Sequence, residues 1–309
     1  MRILHVDNNH KTLADGLNKL GCENHFDTKS DKQTIMSIIN EFQGLIIRSR
    51  FPIDKEFLNA AKNLNFIARV GSGLENIDVN YATSLGIEVI SSPEGNSNAV
   101  GEHALSMILS LFNKLSLAKK NLSNGAWIRE DNRGEELQGK TVGIIGYGNT
   151  GKQFAKKLFG FEVEVICYDI LPNVGNQYAK QVDLSYLKRN SDILSLHIPL
   201  NNQTKGLINS DFINAMSKPF WLINTSRGNQ VITKDLINGL INKKIRGACL
   251  DVFEFENSSF EDLEKNSQIS YLNNHQQVVL TPHVAGWTYQ SKIKLSQIIV
   301  EKIKKLYFN

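Results

Sequence analysis

The stretch over residues 140–169, KTVGIIGYGNTGKQFAKKLFGFEVEVICYD, leaves few folds open to this chain. A β-branched and apolar run over 141–145 leads straight into Gly146-Tyr147-Gly148-Asn149-Thr150-Gly151. Phe154, Ala155, Leu158 and Phe159 then recur at helical spacing, and a second apolar run, 163–168, ends on Asp169. Strand, glycine turn, helix and strand in this order make a βαβ unit with Gly-x-Gly-x-x-Gly at its first turn. Gly146 allows the tight turn, Gly148 a close approach of phosphate to backbone, and Gly151 close packing of helix on strand. The helix start presents unpaired N–H groups and the positive end of its dipole to a pyrophosphate. Asp169 lies about twenty residues beyond the glycines, where a carboxylate bonds both ribose hydroxyls of an adenosine. That charge would repel a 2′-phosphate, and Ile170, Leu171 and Pro172 supply no arginine to neutralise one. The stretch therefore predicts NAD as cofactor, not NADP.

With 309 residues the chain can build two domains with separate cores. Its net charge of +4 is mild, and Lys152, Lys156, Lys157, Lys302, Lys304 and Lys305 sit on helical stretches. Solvated helix faces account for them, so no nucleic-acid partner is expected. Cys22, Cys167 and Cys249 are odd in number and show no metal-ligand spacing. Free thiols in a reducing compartment, and no metal, follow from that. A strand from Arg2 leaves no room for a signal peptide, and the longest apolar stretch, 104–112, falls short of the ~20 residues of a membrane span. The expectation is a cytoplasmic protein without a membrane partner.

Strand and helix patterns alternate from the start. Strands are predicted over 2–6, 45–47, 66–70 and 88–91, with helices over 12–20, 31–41, 54–61 and 79–85 between them. Such alternation implies a parallel sheet with helices on both faces, binding ligands beyond the carboxyl ends of its strands. Arg48-Ser49-Arg50 follow the second strand, Gly71-Ser72-Gly73 the third, and a segment containing Asn96 the fourth. Two guanidinium groups, hydroxyls and turn amides together suit a small, multiply anionic molecule. Residues 99–119 read as one long helix, broadly apolar in its first half and so buried there, with His103 as a core or interface residue. Residues 125–136 read as a loop. After Asp169, strands over 192–197, 220–223, 247–250 and 278–280 end at Ile198-Pro199, Asn224-Thr225-Ser226-Arg227, Asp251 and Thr281-Pro282-His283. One arginine, several carboxylates and a histidine thus converge on the edge that would hold the nicotinamide. The segment 290–306 reads as a helix with an apolar docking face.

In these residues the chain resembles the D-isomer-specific 2-hydroxyacid dehydrogenase family. The resemblance covers essentially the whole chain. Five motifs carry it in order: the glycine fingerprint with Asp169, His197-x-Pro199 through Thr204, Asn224-Thr225-Ser226-Arg227-Gly228, Asp251 through Glu256, and Thr281-Pro282-His283 through Gly286. Ile47-Arg48-Ser49-Arg50 and the run from Arg69 to Asp78 are most similar to the 3-phosphoglycerate dehydrogenase branch.

The resemblance implies an α/β fold of two doubly wound parallel-sheet domains, a Rossmann NAD domain inserted in a flavodoxin-like substrate domain. Residues 1–98 and the C-terminal helix, 287–309, would form the substrate domain, and residues 99–286 the NAD domain, with the active cleft between them. It implies a homodimer or dimer of dimers joined through the helix over 99–119. By this resemblance His283 is the acid–base, Glu256 its charged partner and Arg227 the carboxylate ligand. His197, Pro199, Thr204, Thr225, Ser226, Arg227, Asp251, His283 and Gly286 join the fingerprint residues around NAD. The substrate, a 2-hydroxy or 2-oxo acid, falls to Arg48, Ser49, Arg50, Gly71, Ser72, Gly73, Asn96, Arg227 and His283. The branch implies 3-phosphoglycerate; hydroxypyruvate or glyoxylate reduction, lactate or 4-phosphoerythronate oxidoreduction, and an NAD-sensing corepressor are the alternatives. Asn257 stands where the family commonly has proline, and the segment 257–275 is long. No small regulatory domain follows residue 309, so serine feedback through one is not expected.

Overall fold

The structure, a computed structural model, describes residues 1–256 and 267–308. It divides between Asn96 and Ser97, and again between Gly286 and Trp287, into two compact units.

The first unit runs β1 (Arg2–His5), α1 (Lys11–Lys19), β2 (Glu23–Phe26), α2 (Lys32–Ile38), β3 (Gly44–Ile47), α3 (Lys55–Ala60), β4 (Phe66–Arg69), α4 (Val79–Ser84) and β5 (Glu88–Ser91). Its strands pair in parallel in the order β2-β1-β3-β4-β5, the flavodoxin-like winding. Aspartates mark the helix starts: the side chains of Asp31, Asp54 and Asp78 accept from the backbone amides of Thr34, Phe57 and Tyr81. Two hydrophobic clusters line the sheet. A C-terminal helix, Tyr289–Tyr307, buries Ile299 and Ile303 against Leu13 and Leu17 of α1 in one of them. The sequence reading missed β2. Its residues, Glu-Asn-His-Phe, have no apolar alternation because an edge strand exposes most of its surface.

The second unit opens with α5 (Ser97–Phe112) and α6 (Leu115–Ser123), which correct the single long helix expected over 99–119. Lys114 takes a left-handed φ of 50°, which ends one helix and starts another. Ala104, Met107, Ile108, Leu111 and Phe112 of α5 are buried, whereas α6 buries nothing. Then follow β6 (Thr141–Ile145), α7 (Asn149–Leu158), β7 (Glu164–Tyr168), β8 (Lys180–Gln181), α8 (Leu184–Asn190), β9 (Ile193–Leu196), α9 (Ser210–Ala215), β10 (Phe220–Asn224), α10 (Thr233–Ile241), β11 (Ile245–Leu250), α11 (Ser267–Asn274) and β12 (Val278–Leu280). Among the described residues the strands form one parallel sheet, ordered β12-β11-β10-β9-β6-β7-β8. The winding reverses between β6 and β9, which places the loops after these two strands side by side at the switch point where dinucleotides bind. Two buried clusters lie along this sheet, one built with α5 and α7 and the other with α8, α9 and α10. Cys22, Cys167 and Cys249 are buried free thiols. No helix among the described residues is long and apolar enough to cross a membrane. Of the segment 257–275, residues 257–266 lie outside the described residues.

Candidate active site

The three fingerprint glycines meet different surroundings. Gly146 ends β6 at φ 88°, and a Cβ there would stand 2.5 Å from the His197 carbonyl oxygen. A Cβ on Gly151 would stand 2.2 Å from the Gly146 carbonyl oxygen, so this glycine lets α7 press against the turn. A Cβ on Gly148 would meet nothing within 4 Å. Gly148 caps α7 without any side-chain hydrogen bond, so the first-turn amides around Asn149, Thr150 and Gly151 open onto that space. Asp169 accepts from the Tyr147 amide through Oδ2 at 2.7 Å and from the Leu171 amide through Oδ1 at 2.9 Å. Each oxygen keeps a lone pair for a ribose hydroxyl. An open cradle of amides with a carboxylate at its far strand end fits a dinucleotide.

Two expected cofactor ligands turn their side chains elsewhere. Tyr147 is buried in the core, its hydroxyl donating to Asn176 Oδ1 at 2.7 Å, and burial pushes its phenol up to about 12. Only its backbone faces the cradle. The imidazole of His197 is buried too, 2.8 Å from Ser195 Oγ and stacked on Phe154 of α7. Burial lowers its pKa to about 3, so it stays neutral and supports the turn from beneath. Sequence alone cannot separate a histidine at a strand end from one just inside it. Thr204 also stays local: its hydroxyl donates to the Pro199 carbonyl at 2.7 Å and accepts from the Asn201 amide at 2.8 Å.

The ends of β10, β11 and β12 carry the reactive groups. Buried Asn224 accepts from the Ser226 amide at 3.1 Å and donates to the Arg227 carbonyl at 3.0 Å, which shapes the loop presenting Arg227. Ser226 Oγ donates to the Ile198 carbonyl, and Thr225 Oγ1 is buried with no hydrogen-bond partner among the described residues. The Arg227 guanidinium donates to the Ser226 carbonyl at 2.7 Å. His283 Nδ1 lies 2.7 Å from Glu256 Oε2, and Glu256 Oε1 accepts from the Phe253 amide. Glu256 is thereby anchored, and its second oxygen fixes the imidazole. His283 itself sits at φ 54°, a conformation uncommon outside glycine. Its amide donates to the Asp251 carbonyl at 2.8 Å and the Thr281 carbonyl at 3.1 Å, holding it there. Asp251 is fully buried and accepts from Val284 and Ala285 amides at 2.9 and 2.8 Å and from the Thr281 hydroxyl. It organises the loop that extends toward Gly286.

In the first unit, Arg48 is gripped through its backbone: its amide donates to Asp7 Oδ2 at 2.6 Å, and its carbonyl accepts from Arg69 Nε and Asn76 Nδ2 at 3.3 Å each. Its guanidinium stacks 4.3 Å from the Trp287 ring. Ser49 is half-buried in the bend that follows. Ser72 Oγ donates to Asn96 Oδ1 at 2.7 Å, joining the loops after β4 and β5. Gly71 lies beneath the Arg69 guanidinium, where a Cβ would stand 1.6 Å from Arg69 Nη1 and displace that side chain; Gly73 lies half-buried beside it. Arg50 departs from expectation. Its guanidinium donates to the Val6 carbonyl at 2.8 Å, the Asp27 carbonyl at 2.7 Å and the Ser30 carbonyl. It ties the ends of β1, β2 and β3 together. Sequence reasoning assigned no role to Arg69, Trp287, Asn224 or Thr281; Arg69, Asn224 and Thr281 stood inside quoted motifs and were the three within reach.

Residues 105–285 match the family described as D-isomer specific 2-hydroxyacid dehydrogenase, NAD binding domain. The chain belongs to this family. It is 35% identical over 275 residues to a hydroxypyruvate reductase of Thermotoga maritima, an alignment covering 89% of this chain and 88% of that one. It is 32% identical over 308 residues to a D-3-phosphoglycerate dehydrogenase of Archaeoglobus fulgidus, covering 98% of this chain but 56% of that one. The chain thus spans about half the length of that relative. The structure of D-2-hydroxyisocaproate dehydrogenase superposes with a TM-score of 0.83 at 25% identity, covering 99% of this chain and 97% of that one. The chain is therefore an NAD-dependent D-2-hydroxyacid dehydrogenase, acting on small 2-hydroxy or 2-oxo acids, with the two-domain parallel-sheet fold of its family.

Proposed function

We propose that this enzyme interconverts 3-phosphoglycerate and 3-phosphohydroxypyruvate, the first step of serine synthesis. The observation that carries the proposal is the cationic end of the first unit's sheet, where Arg48 and Arg69 stand beside the Gly71–Ser72–Asn96 turn. Two guanidinium groups suit a substrate with an anion beyond its carboxylate, because they bind phosphate bidentately. The Gly146–Gly151 cradle and Asp169 would hold NAD, which would supply the hydride acceptor for C2 of the hydroxy acid or, as NADH, the hydride donor for the oxo acid. His283 accepts the hydroxyl proton on Nε2 in oxidation and gives it back in reduction. Glu256, bonded to Nδ1, holds the ring's orientation. Arg227 binds the carboxylate and stabilises negative charge developing on the C2 oxygen. Asp251 keeps the His283 loop in place, and the Ser72 and Gly73 amides receive carboxylate oxygens, the Gly71 amide being given to the Arg69 carbonyl.

Reduction of hydroxypyruvate or glyoxylate is the second reading. The Thermotoga maritima hydroxypyruvate reductase, which this chain matches along most of both lengths, favours it. NADH oxidation measured against a panel of 2-oxo acids separates the two. Phosphohydroxypyruvate should give the highest kcat/KM, and Arg48→Ala should lower it by about one to two decades while leaving glyoxylate nearly unchanged. A wild-type preference for an uncharged side chain on the oxo acid would remove the phosphoglycerate assignment. Equal losses on both substrates would make Arg48 a carboxylate ligand or a structural residue.

A further inference from the structure

His103 of α5 enters the second unit's chemistry from outside the strand-end loops. Its Nε2 lies 2.9 Å from Thr281 Oγ1 and 3.5 Å from Asp251 Oδ1. Thr281 has one hydroxyl proton, and it goes to Asp251 Oδ1. The Thr281 oxygen must then accept from His103, so Nε2 carries hydrogen and the order of donation runs His103 to Thr281 to Asp251. Asp251 is fully buried, and His103 is the one basic side chain within 4 Å of its carboxylate among the described residues. A buried carboxylate needs such donors, and the others it has are the backbone amides of Val284 and Ala285. Those amides belong to the residues immediately after His283. The carbonyls of Asp251 and Thr281 both accept from the His283 amide. The Thr281 amide also donates directly to the Leu250 carbonyl of β11 at 3.0 Å, so His103 acts on the Asp251 contacts of the loop and not on its first link to the sheet.

We infer that His103 is a positioning residue for proton transfer: it donates to Thr281, which locks the buried Asp251 carboxylate and thereby the left-handed His283. This assignment rests on His283 being the proton carrier proposed above. The consequence is specific: losing the donor should misplace the imidazole and spare the glycine cradle after β6, which is built from other residues.

The test compares His103→Leu with His103→Gln, whose amide nitrogen can still donate to Thr281. His103→Leu should lower kcat by about five- to tenfold, the effect of one hydrogen bond, with KM for NADH within about twofold of wild type. His103→Gln should restore most of kcat. Should His103→Leu fail to fold, Thr281 gives the same reading: Thr281→Val should lose kcat to a similar extent and Thr281→Ser should keep it. An undiminished kcat in His103→Leu or Thr281→Val overturns the assignment. So does a loss in His103→Leu that His103→Gln does not repair, or a rise in the KM for NADH that matches the fall in kcat. His283→Ala serves as the control. If it retains wild-type kcat, the proton-transfer reading falls and this one with it; if it is inactive while the His103 pattern fails, only the present assignment is lost.

Discussion

Alanine placed at Gly148 and at Gly151 should injure different properties of the enzyme. The Gly148 Cβ would enter open space, so nothing in the protein resists it, and stability should stay within about 1 kcal/mol of wild type. The same methyl group stands where a pyrophosphate must approach the amides of the α7 first turn. Removing one or two charge-assisted hydrogen bonds there costs about 1.5–3 kcal/mol, which is about one to two decades in NADH affinity. Gly151→Ala brings its Cβ to 2.2 Å from the Gly146 carbonyl and 3.3 Å from Ile144 Cγ2, both on the rigid β6 turn. The helix must withdraw, at a cost of about 1–3 kcal/mol in stability. Urea unfolding measures the second effect and NADH titration by fluorescence the first. If Gly148→Ala binds NADH as tightly as wild type, the cradle is not the pyrophosphate site. If it unfolds as readily as Gly151→Ala, the space around Gly148 is not open.

Glu256→Gln should lower kcat, because the imidazole loses the carboxylate that fixes it at 2.7 Å; His283→Ala should lower kcat by roughly 10²–10⁴-fold with NADH binding retained, and a fully active variant would require another base. Acid should destabilise the fold through two buried histidines, since burial holds His5 at about 4 and His197 at about 3 against an ordinary value near 6.5. Both are neutral in the fold, so their contribution is complete above about pH 6.5 and is lost as pH falls and the unfolded chain takes up protons first. At pH 5 each loss is on the order of 1–2 kcal/mol, read from urea midpoints at pH 7.5 and 5. A midpoint that does not move, or a His5→Gln variant with the pH dependence of wild type, would contradict it.

Local chemistry is what the sequence could disclose. The βαβ unit over 140–169 was legible because its strand, glycines, helix and carboxylate are neighbours in the chain, with hydrophobic periods that only one local structure satisfies. The parallel sheets followed from alternation, and His283, Glu256 and Arg227 stood at strand ends where ligands bind. Edge strands were less legible: β2 and the two-residue β8 lack the apolar pattern because they are half solvated.

Direction and partnership were decided by tertiary structure. Arg48 and Arg50 look equivalent in sequence, yet Arg50 is spent on three carbonyls from β1 and the loop after β2, segments it meets only after folding. Tyr147 and His197 belong to cofactor motifs, yet both rings are buried in the core, Tyr147 bonded to Asn176 and His197 stacked on Phe154. His103 and Thr281 are 178 residues apart in the chain and in contact at 2.9 Å in the fold. A sequence records which groups a chain carries, and their local spacing fixes helix, strand and turn. Which group meets which across that distance depends on how helices pack on sheets, a property of the folded backbone that no local pattern contains.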